Sequence, residues 1–198
     1  MRSVIVIAAV LAVAGCSRNE SSEQVAVDAP AATASSEPAV TPPADHASAA
    51  GTQHRVNLIP GQGGQVAGAL DLVSSDGAVV VTGLVTGLAP DSEHGFHVHE
   101  KGDCSSVDFS SAGEHFNPTS QQHGNPASPP HHLGDVPNVK ANSEGKADVN
   151  TRIEGVTLGD GGANDVVGKA FVVHAKPDDY KTQPSGDSGD RIACGVIE

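Results

Sequence analysis

The sequence is poor in aromatic residues, in basic residues and in sustained helical patterns. Its 198 residues contain no Trp, one Tyr and four Phe, and 11 Lys and Arg stand against 24 Asp and Glu, a formal net charge of −13. A nucleic-acid-binding protein normally has the opposite sign of charge, so the composition argues against DNA and RNA as partners. No long apolar stripe at helical spacing is present, which argues against a helical bundle.

An unbroken apolar run of eleven residues, 4–14, lies at the N-terminus behind Arg2. It is too short to span a bilayer and has the length of the apolar region of an export signal. The run ends in Val13-Ala14-Gly15-Cys16, which resembles the lipobox of bacterial lipoproteins. The resemblance implies a signal peptide over residues 1–15 and a lipid anchor on Cys16. A plain secretory signal peptide is the alternative.

The lipobox also implies a location. Ser rather than Asp follows Cys16, and by the resemblance this favours the outer membrane of a bacterial cell envelope, with the membrane contacted only through the lipid. Residues 16–50 are mainly Ala, Ser, Glu, Thr and Pro. Such a segment cannot bury enough apolar surface to offset its ordering entropy. We therefore expect a disordered tether over residues 16–50 and one folded domain over residues 51–198.

Two cysteines, Cys104 and Cys194, remain after the lipobox. In an oxidising compartment the simplest interpretation is a single disulfide. It would close a loop of about 90 residues and stabilise the fold by about 4 to 5 kcal/mol in the chain-entropy view. Two thiolate metal ligands are the alternative, although no Cys-x-x-Cys spacing supports them.

Short Val-rich runs separated by turn signals predict an all-β domain. The two runs at 66–73 and 78–85 flank Asp76-Gly77 and indicate a hairpin. Long Gly-, Pro- and Ser-rich segments at 101–117 and 118–138 lie between the later runs. Loops of this length need something to order them, such as a disulfide or bound metal. The sequence predicts an antiparallel Greek-key β-sandwich or flattened barrel with long loops. The further predicted strands are 94–100, 145–153, 169–174 and 192–197.

Histidines are concentrated in the second half of the chain, and two of them share one face of a strand. In the run Gly95-Phe96-His97-Val98-His99, residues i and i+2 point to the same side. His97 and His99 therefore form a pair that can grip a metal. His174 ends another strand and offers a further imidazole. An all-imidazole site suits copper, which heads the stability order of divalent metals.

A second set of metal-binding residues lies in the loops. His123, His132 and Asp135 stand among Gly and Pro, with no apolar periodicity that would place them in a core. His115 precedes them in the segment Gly113-Glu114-His115-Phe116. Three imidazoles and one carboxylate would complete a closed tetrahedral zinc site.

Six motifs together make the sequence similar to the copper/zinc superoxide dismutases. They are GFHVHE, AGEHFNP, HGNP, HHLGD, VVH and GDSGDRIACGVI, in this order along residues 56–197. The signal peptide and lipobox point to the bacterial envelope branch of that family. The resemblance implies one copper ion and one zinc ion per subunit, superoxide anion as the substrate, and a monomer or a homodimer.

The resemblance assigns roles residue by residue. His115 would bridge both ions and, with Arg191, serve catalysis, whereas Asp178 would link copper and zinc ligands through their outer nitrogens. Cys104 and Cys194 match the family disulfide, and His94 matches a structural histidine. His132 rather than its neighbour His131 is chosen as a ligand, since Leu-Gly-Asp follows it with the family spacing. The copper ligands would be His97, His99, His115 and His174, and the zinc ligands His115, His123, His132 and Asp135.

The implied reaction is dismutation of superoxide to dioxygen and hydrogen peroxide by a one-electron copper cycle, which would protect the cell envelope. The acidic chain repels an anionic substrate, so Arg191 and the metals must attract it locally. Lys176 and Lys181 either steer the anion or are ordinary surface charges. Three other functions stay open: a non-catalytic copper- and zinc-buffering protein of the envelope, a structural sandwich used in adhesion, and a zinc hydrolase.

Overall fold

The computed structural model describes residues 53–198. It contains eight strands and one short 3₁₀ helix at Ser110–Ala112, with no α-helix among the described residues. The prediction of an all-β fold is therefore confirmed. The strands are β1 His54–Pro60, β2 Ala67–Ser75, β3 Ala78–Thr86, β4 Glu93–His99, β5 Asp135–Lys140, β6 Ala147–Glu154, β7 Ala170–His174 and β8 Arg191–Val196.

All strand pairs are antiparallel, in the order β5-β4-β7-β8-β1-β2-β3-β6. The two ends of this order, β5 and β6, are consecutive along the chain and in contact, so the sheet curls into a nearly closed barrel. The non-consecutive pairs β3–β6 and β4–β7 are the Greek-key crossovers. The predicted Greek-key barrel is confirmed.

The hairpin between β2 and β3 has the predicted two-residue turn. Asp76 and Gly77 have φ angles of 46° and 77°. Two consecutive positive φ angles define the turn whose twist matches a β-hairpin, and Asp-Gly is one of the residue pairs that adopts it readily. The local sequence thus sets the register of the β2–β3 pair.

Alternate residues of the strands fill the barrel interior. Val56 and Leu58 of β1 are buried while Asn57 between them is exposed. Phe96 of β4 stacks on Phe171 of β7, with ring centroids 4.7 Å apart and planes inclined by 12°. Both aromatic side chains are fully buried, so the strands that bear the predicted metal ligands are anchored in the centre of the core.

Two strands, β1 and β5, were not among the predicted elements. β5 begins within the segment 118–138 that the sequence indicates as a loop, and it contains Pro137. Proline is tolerated at a strand that pairs on one side only, and β5 pairs with β4 but ends the sheet order on its other side. The sheet edge therefore accepts a strand whose local sequence indicates a turn.

Cys104 and Cys194 form a disulfide that joins the loop after β4 to β8. Cys194 is fully buried and packs in a second apolar cluster with Phe109, Ala112 and Val172. The prediction of a disulfide is confirmed, and the alternative of two thiolate metal ligands is wrong.

The predicted signal peptide, the lipid-anchored Cys16 and the tether over 16–50 lie outside the described residues. Within residues 53–198, no helix has the length and hydropathy needed to cross a membrane.

Candidate metal centre

Strands β4 and β7 carry three of the predicted ligands. The two strands pair with Phe96 opposite Val173 and His97 opposite Val172. Because residues i and i+2 share a face, His97 and His99 project together towards His174 at the end of β7. The ring centroids of His97 and His174 are 4.8 Å apart, and the Nε2 atoms of His99 and His174 are 3.4 Å apart.

At Gly95, strand β4 and the loop before β8 approach too closely for a side chain to fit between them. Gly95 lies where the pairing of β4 with β5 shifts register. A Cβ atom at Gly95 would come within 2.8 Å of the Ser188 side chain and 3.2 Å of the His97 ring. Glycine therefore lets the loop before β8 pack directly against the two imidazole-bearing strands.

His115 completes what we call the histidine cluster. It follows the 3₁₀ helix and pairs with His99 through an isolated antiparallel bridge. Its ring centroid is 4.0 Å from that of His97 and 5.1 Å from that of His99. Each member offers one ring nitrogen, and these nitrogens all lie within 4.8 Å of one another. The histidine cluster consists of His97, His99, His115 and His174.

The mixed cluster consists of His115, His123, His132 and Asp135, whose ligand atoms also lie within 4.8 Å of one another. Three Nδ1 atoms converge on Asp135 Oδ1, at 2.8 Å from His115, 3.0 Å from His123 and 3.3 Å from His132. The other carboxylate oxygen, Oδ2, accepts hydrogen bonds from the backbone N–H groups of Gly124 and His132. Asp135 is thus both a member of the cluster and the anchor of the surrounding loop.

His115 belongs to both clusters, and the other members of the two clusters lie on opposite sides of its ring. Its Nδ1 lies at Asp135, whereas its Nε2 faces no hydrogen-bond partner within residues 53–198. Asp135 is the residue opposite His97 in the β4–β5 pair, so barrel pairing itself brings the clusters side by side.

Unpartnered buried nitrogens show that these residues fit metal ions. In the described part of the chain, three buried side-chain polar atoms lack a hydrogen-bond partner: His97 Nδ1, His115 Nε2 and His132 Nδ1. Leaving a buried polar atom unpaired costs about 1 to 3 kcal/mol. All three atoms belong to the clusters. Four imidazoles suit copper, and three imidazoles with one carboxylate suit zinc.

Burial keeps the histidine cluster neutral. It lowers the pKa of His99 and of His174 well below the usual value, and neighbouring positive groups add to the effect. Burial also lowers the pKa of His115 to about 4, although the hydrogen bond to Asp135 opposes this. A neutral imidazole has a free lone pair, which is the form that binds metal.

In the mixed cluster, contacts between carboxylates and imidazoles outweigh burial in setting the pKa values. Burial would lower the pKa of His123, but hydrogen bonds to Asp135 and Asp178 outweigh it and raise the value to about 9. Burial would likewise raise the pKa of Asp135, yet its contacts with the imidazoles of His115, His123 and His132 hold it well below its usual range. Asp135 is therefore an anion, as a metal ligand must be.

Asp178 links the clusters from behind. Its Oδ2 is 2.8 Å from His97 Nε2, and its Oδ1 is 3.0 Å from His123 Nε2. The carboxylate is buried, and it contacts Nε2 of His97 and Nε2 of His123, the ring nitrogens that are directed away from the predicted metal sites. Outer contacts of this kind fix the tautomer and the orientation of a ligand imidazole.

Arg191 begins β8 and is held by two backbone carbonyls. Its Nη1 donates to the carbonyl of Phe109 at 2.6 Å, and its Nη2 donates to that of Gly113 at 2.7 Å. The half-buried guanidinium lines a surface cavity of about 280 Å³ together with Asp108 and Asp190. A rigid planar cation in an open cavity can receive a small anion.

Other predicted residues lie outside both clusters. His94 is buried, with Nδ1 2.7 Å from the carbonyl oxygen of His174 and Nε2 2.7 Å from Ser92 Oγ. His131 contacts only the carbonyl of His132 among the described residues. Lys176 lies 3.8 Å from Asp187, and both side chains are largely exposed.

Several supporting residues carry no signal in the sequence. The Asn138 side chain pairs with the backbone N–H and carbonyl of Asp178, and the Tyr180 hydroxyl accepts from the Asn138 N–H. Gln183 pairs in the same way with the backbone of His123. Each contact joins segments at least 40 residues apart, so no local pattern could reveal it.

Comparisons with known proteins agree with this geometry. The family description copper/zinc superoxide dismutase (SODC) matches residues 66–197. The chain is 42% identical over 139 residues to "Superoxide dismutase [Cu-Zn] 2" of Aquifex aeolicus (strain VF5), covering 68% of this chain and 80% of that protein. It is 39% identical over 150 residues to "Superoxide dismutase-like protein YojM" of Bacillus subtilis (strain 168), and the match covers 73% of this chain and 75% of that protein.

A solved structure described as a SOD-like protein from Bacillus subtilis is 38% identical, with a TM-score of 0.66, and the match covers 73% of this chain and 98% of that one. The matched family region contains every residue of the two clusters, together with Asp178, Arg191 and the disulfide. The chain belongs to the copper/zinc superoxide dismutase family.

Proposed function

We propose that this protein is an active superoxide dismutase that converts two superoxide anions and two protons to dioxygen and hydrogen peroxide. In this proposal the histidine cluster holds copper, the mixed cluster holds zinc, and His115 serves both ions. The observation that carries the proposal is the sharing of one imidazole by two complete four-ligand clusters. A protein that only stored metal would not need the two sites joined in this way.

Copper, when bound, takes up one electron and gives it back, whereas zinc has no redox cycle and supplies constant positive charge. The chemistry of the donors supports this division of roles. Four neutral imidazoles favour copper, and a closed set of three imidazoles and one carboxylate is typical of structural zinc. A closed set also leaves no position for a reacting water, which argues against a zinc hydrolase.

His115 is the residue best placed to move a proton. Its Nδ1 is directed at Asp135, so protons can be exchanged only at Nε2, the atom with no partner among the described residues. Nε2 can therefore hold a proton and release it to the reduced substrate, which must gain two protons to become hydrogen peroxide.

Arg191 attracts and orients the anion. Two of its donors are engaged by the Phe109 and Gly113 carbonyls, which fix the plane of the guanidinium, and Arg191 lines the cavity. With a net charge of −13 on the chain, this fixed cation offsets a field that repels superoxide. Its placement supports dismutation over metal buffering, because storage needs no anion-binding group.

The proposal extends to the location of the protein. A signal peptide over residues 1–15, lipidation of Cys16 and a tether over 16–50 would place the domain in the bacterial cell envelope, where superoxide would be removed. Labelling of the expressed chain with a radioactive fatty acid tests this location. Label that survives Cys16→Ser would contradict the anchor.

The activity is tested on mature protein restored with copper and zinc. We expect rapid superoxide consumption, and Arg191→Ala should lower kcat/KM by about tenfold or more while both metals stay bound. Metal content measured on the same samples separates the alternatives. Full occupancy of both sites without superoxide consumption would contradict the proposal and favour a metal buffer. The relative named "superoxide dismutase-like" makes this outcome worth testing.

A further inference from the structure

The loop after β7 contacts His123 through a side chain that the proposed chemistry does not use. Gln183 Oε1 accepts a hydrogen bond from the backbone N–H of His123 at 3.0 Å, and Gln183 Nε2 donates to the His123 carbonyl at 2.9 Å. The side-chain amide thus imitates the pairing of a neighbouring strand. Nε2 also lies 3.3 Å from the Lys181 carbonyl. An inverted amide would place donor against donor and acceptor against acceptor, so this orientation is fixed.

Hydrogen bonds within the loop after β7 hold Gln183 in position. The Asp179 carboxylate accepts hydrogen bonds from the backbone N–H groups of Lys181 and Thr182 and from the Thr182 hydroxyl. The Gly186 N–H donates to the Thr182 carbonyl, closing a turn around Gln183. Local hydrogen bonds of this kind order an exposed loop before it makes any longer contact.

The same turn covers the imidazole of His123. Gly186 is buried and has a φ of 70°, and a Cβ atom there would come within 1.7 Å of Asp178 Oδ1 and 2.8 Å of His123 Nε2. Only glycine fits a backbone that is left-handed and this close to a carboxylate. Residues 183–186 therefore lie against His123 at two points: Gln183 pairs with its backbone, and the Gly186 backbone passes close to the Asp178 carboxylate that contacts its ring.

The turn also borders an opening towards the mixed cluster. Pro184 lines a surface cavity of about 410 Å³ whose other walls include His115 and His132. His123, in contrast, has a fully buried side chain. The turn that carries the amide pairing therefore also forms part of the wall of this opening, through Pro184.

We propose that Gln183 is a positioning residue that pins the backbone of His123 and thereby slows loss of zinc from the mixed cluster. The inference rests on the proposed zinc site. It predicts an effect on the mixed cluster, because Gln183 hydrogen-bonds the backbone of His123 and of no member of the histidine cluster.

The test uses the full mature chain loaded with copper and zinc. We expect Gln183→Ala to transfer zinc to an excess of a chelating dye about five- to tenfold faster than the wild type, as the loss of two partly buried hydrogen bonds would allow. Gln183→Glu keeps the acceptor for the His123 N–H but places a carboxylate oxygen against the His123 carbonyl, so its zinc release should also be faster than that of the wild type. Copper release should change by less than about twofold.

The matched control is Gln121→Ala. Gln121 is an exposed glutamine in the same loop as His123, and its amide donates only to the nearby Thr119 carbonyl. Its zinc release rate should equal that of the wild type. Equal rates for Gln183→Ala and Gln121→Ala would overturn the proposal.

Hydrogen exchange of the His123 amide, followed by NMR, provides a readout that does not depend on activity. We expect faster exchange in Gln183→Ala, with or without metal, and no change in Gln121→Ala. Unchanged exchange in Gln183→Ala would show that the pairing does not protect this amide and would overturn the proposal. Failure of superoxide consumption leaves both readouts intact, so the two proposals fail separately.

Discussion

The two halves of the metal centre are held by different kinds of structure. His97, His99 and His174 lie on paired strands of the barrel, where the β4–β7 and β7–β8 ladders and the Phe96–Phe171 core contact set the backbone positions. His123 and His132 lie in loops, where no ladder holds them. Side chains replace the ladder there: Asp135 ties backbone N–H groups of the loop, and Gln183 pairs with His123.

Because their supports differ, the two halves should respond unequally to substitution. Strand-borne ligands move only if the barrel is disturbed, and the barrel is stabilised by its whole core. Loop-borne ligands depend on a few hydrogen bonds, each worth about 0.5 to 1.5 kcal/mol. Substitutions outside the clusters should therefore weaken the mixed cluster before the histidine cluster.

The largest effect should come from the residue that both halves share. We expect His115→Ala to lower superoxide consumption by about 100-fold or more, because a proton-transfer group and a ligand of both clusters are lost together. Metal content and activity are measured on the same sample. His54→Ala is the control, since His54 belongs to neither cluster and contacts the Glu198 carbonyl. Full activity of His115→Ala would refute the shared role.

The second largest effect should come from the disulfide, which joins the loop between β4 and β5 to strand β8. Replacing both Cys104 and Cys194 with Ser should lower the free energy of unfolding by about 2 to 5 kcal/mol, because the unfolded chain regains the entropy of a long loop. Urea unfolding of the oxidised wild type and the double variant measures this. Phe109 and Gly113, which hold Arg191, follow Cys104 in the same loop. An equal unfolding midpoint for both proteins would contradict this expectation.

Asp178 contacts one ligand from each half and so tests the comparison directly. We expect Asp178→Asn to weaken zinc binding by about 10- to 100-fold. Copper binding should weaken less, because β4 keeps His97 in place without the carboxylate. Competition with chelators of known affinity measures both metals. Asp187→Asn, an exposed neighbour, is the control. Equal losses at the two sites would show that the strands provide no extra support.

The smallest effect should come from the exposed lysine on the loop after β7. Lys176 lies near Asp187 in an exposed ion pair, so its charge is largely offset. We expect Lys176→Gln to change kcat/KM for superoxide by less than about twofold at low salt. Pulse radiolysis measures this rate directly. A tenfold drop would instead make Lys176 a true steering group.

Much of the centre could be predicted from local patterns. The alternation of His97 and His99 is a property of any strand, and the hairpin at Asp76-Gly77 follows from residues that accept positive φ. β5 could not be predicted, because Pro137 is acceptable only where one side of the strand is unpaired. Whether a strand lies at an edge is decided by the whole sheet.

The sequence by itself determined which residues can bind metal, which cysteines remain to be paired and which runs become most of the strands, since these follow from side-chain chemistry and from the period of a strand. The folded barrel is needed to show that Asp135 lies opposite His97 and that Gln183 reaches His123, and it supplies the geometry in which two clusters include His115. These contacts join residues far apart in the chain, and their distances are set by barrel closure rather than by any local preference.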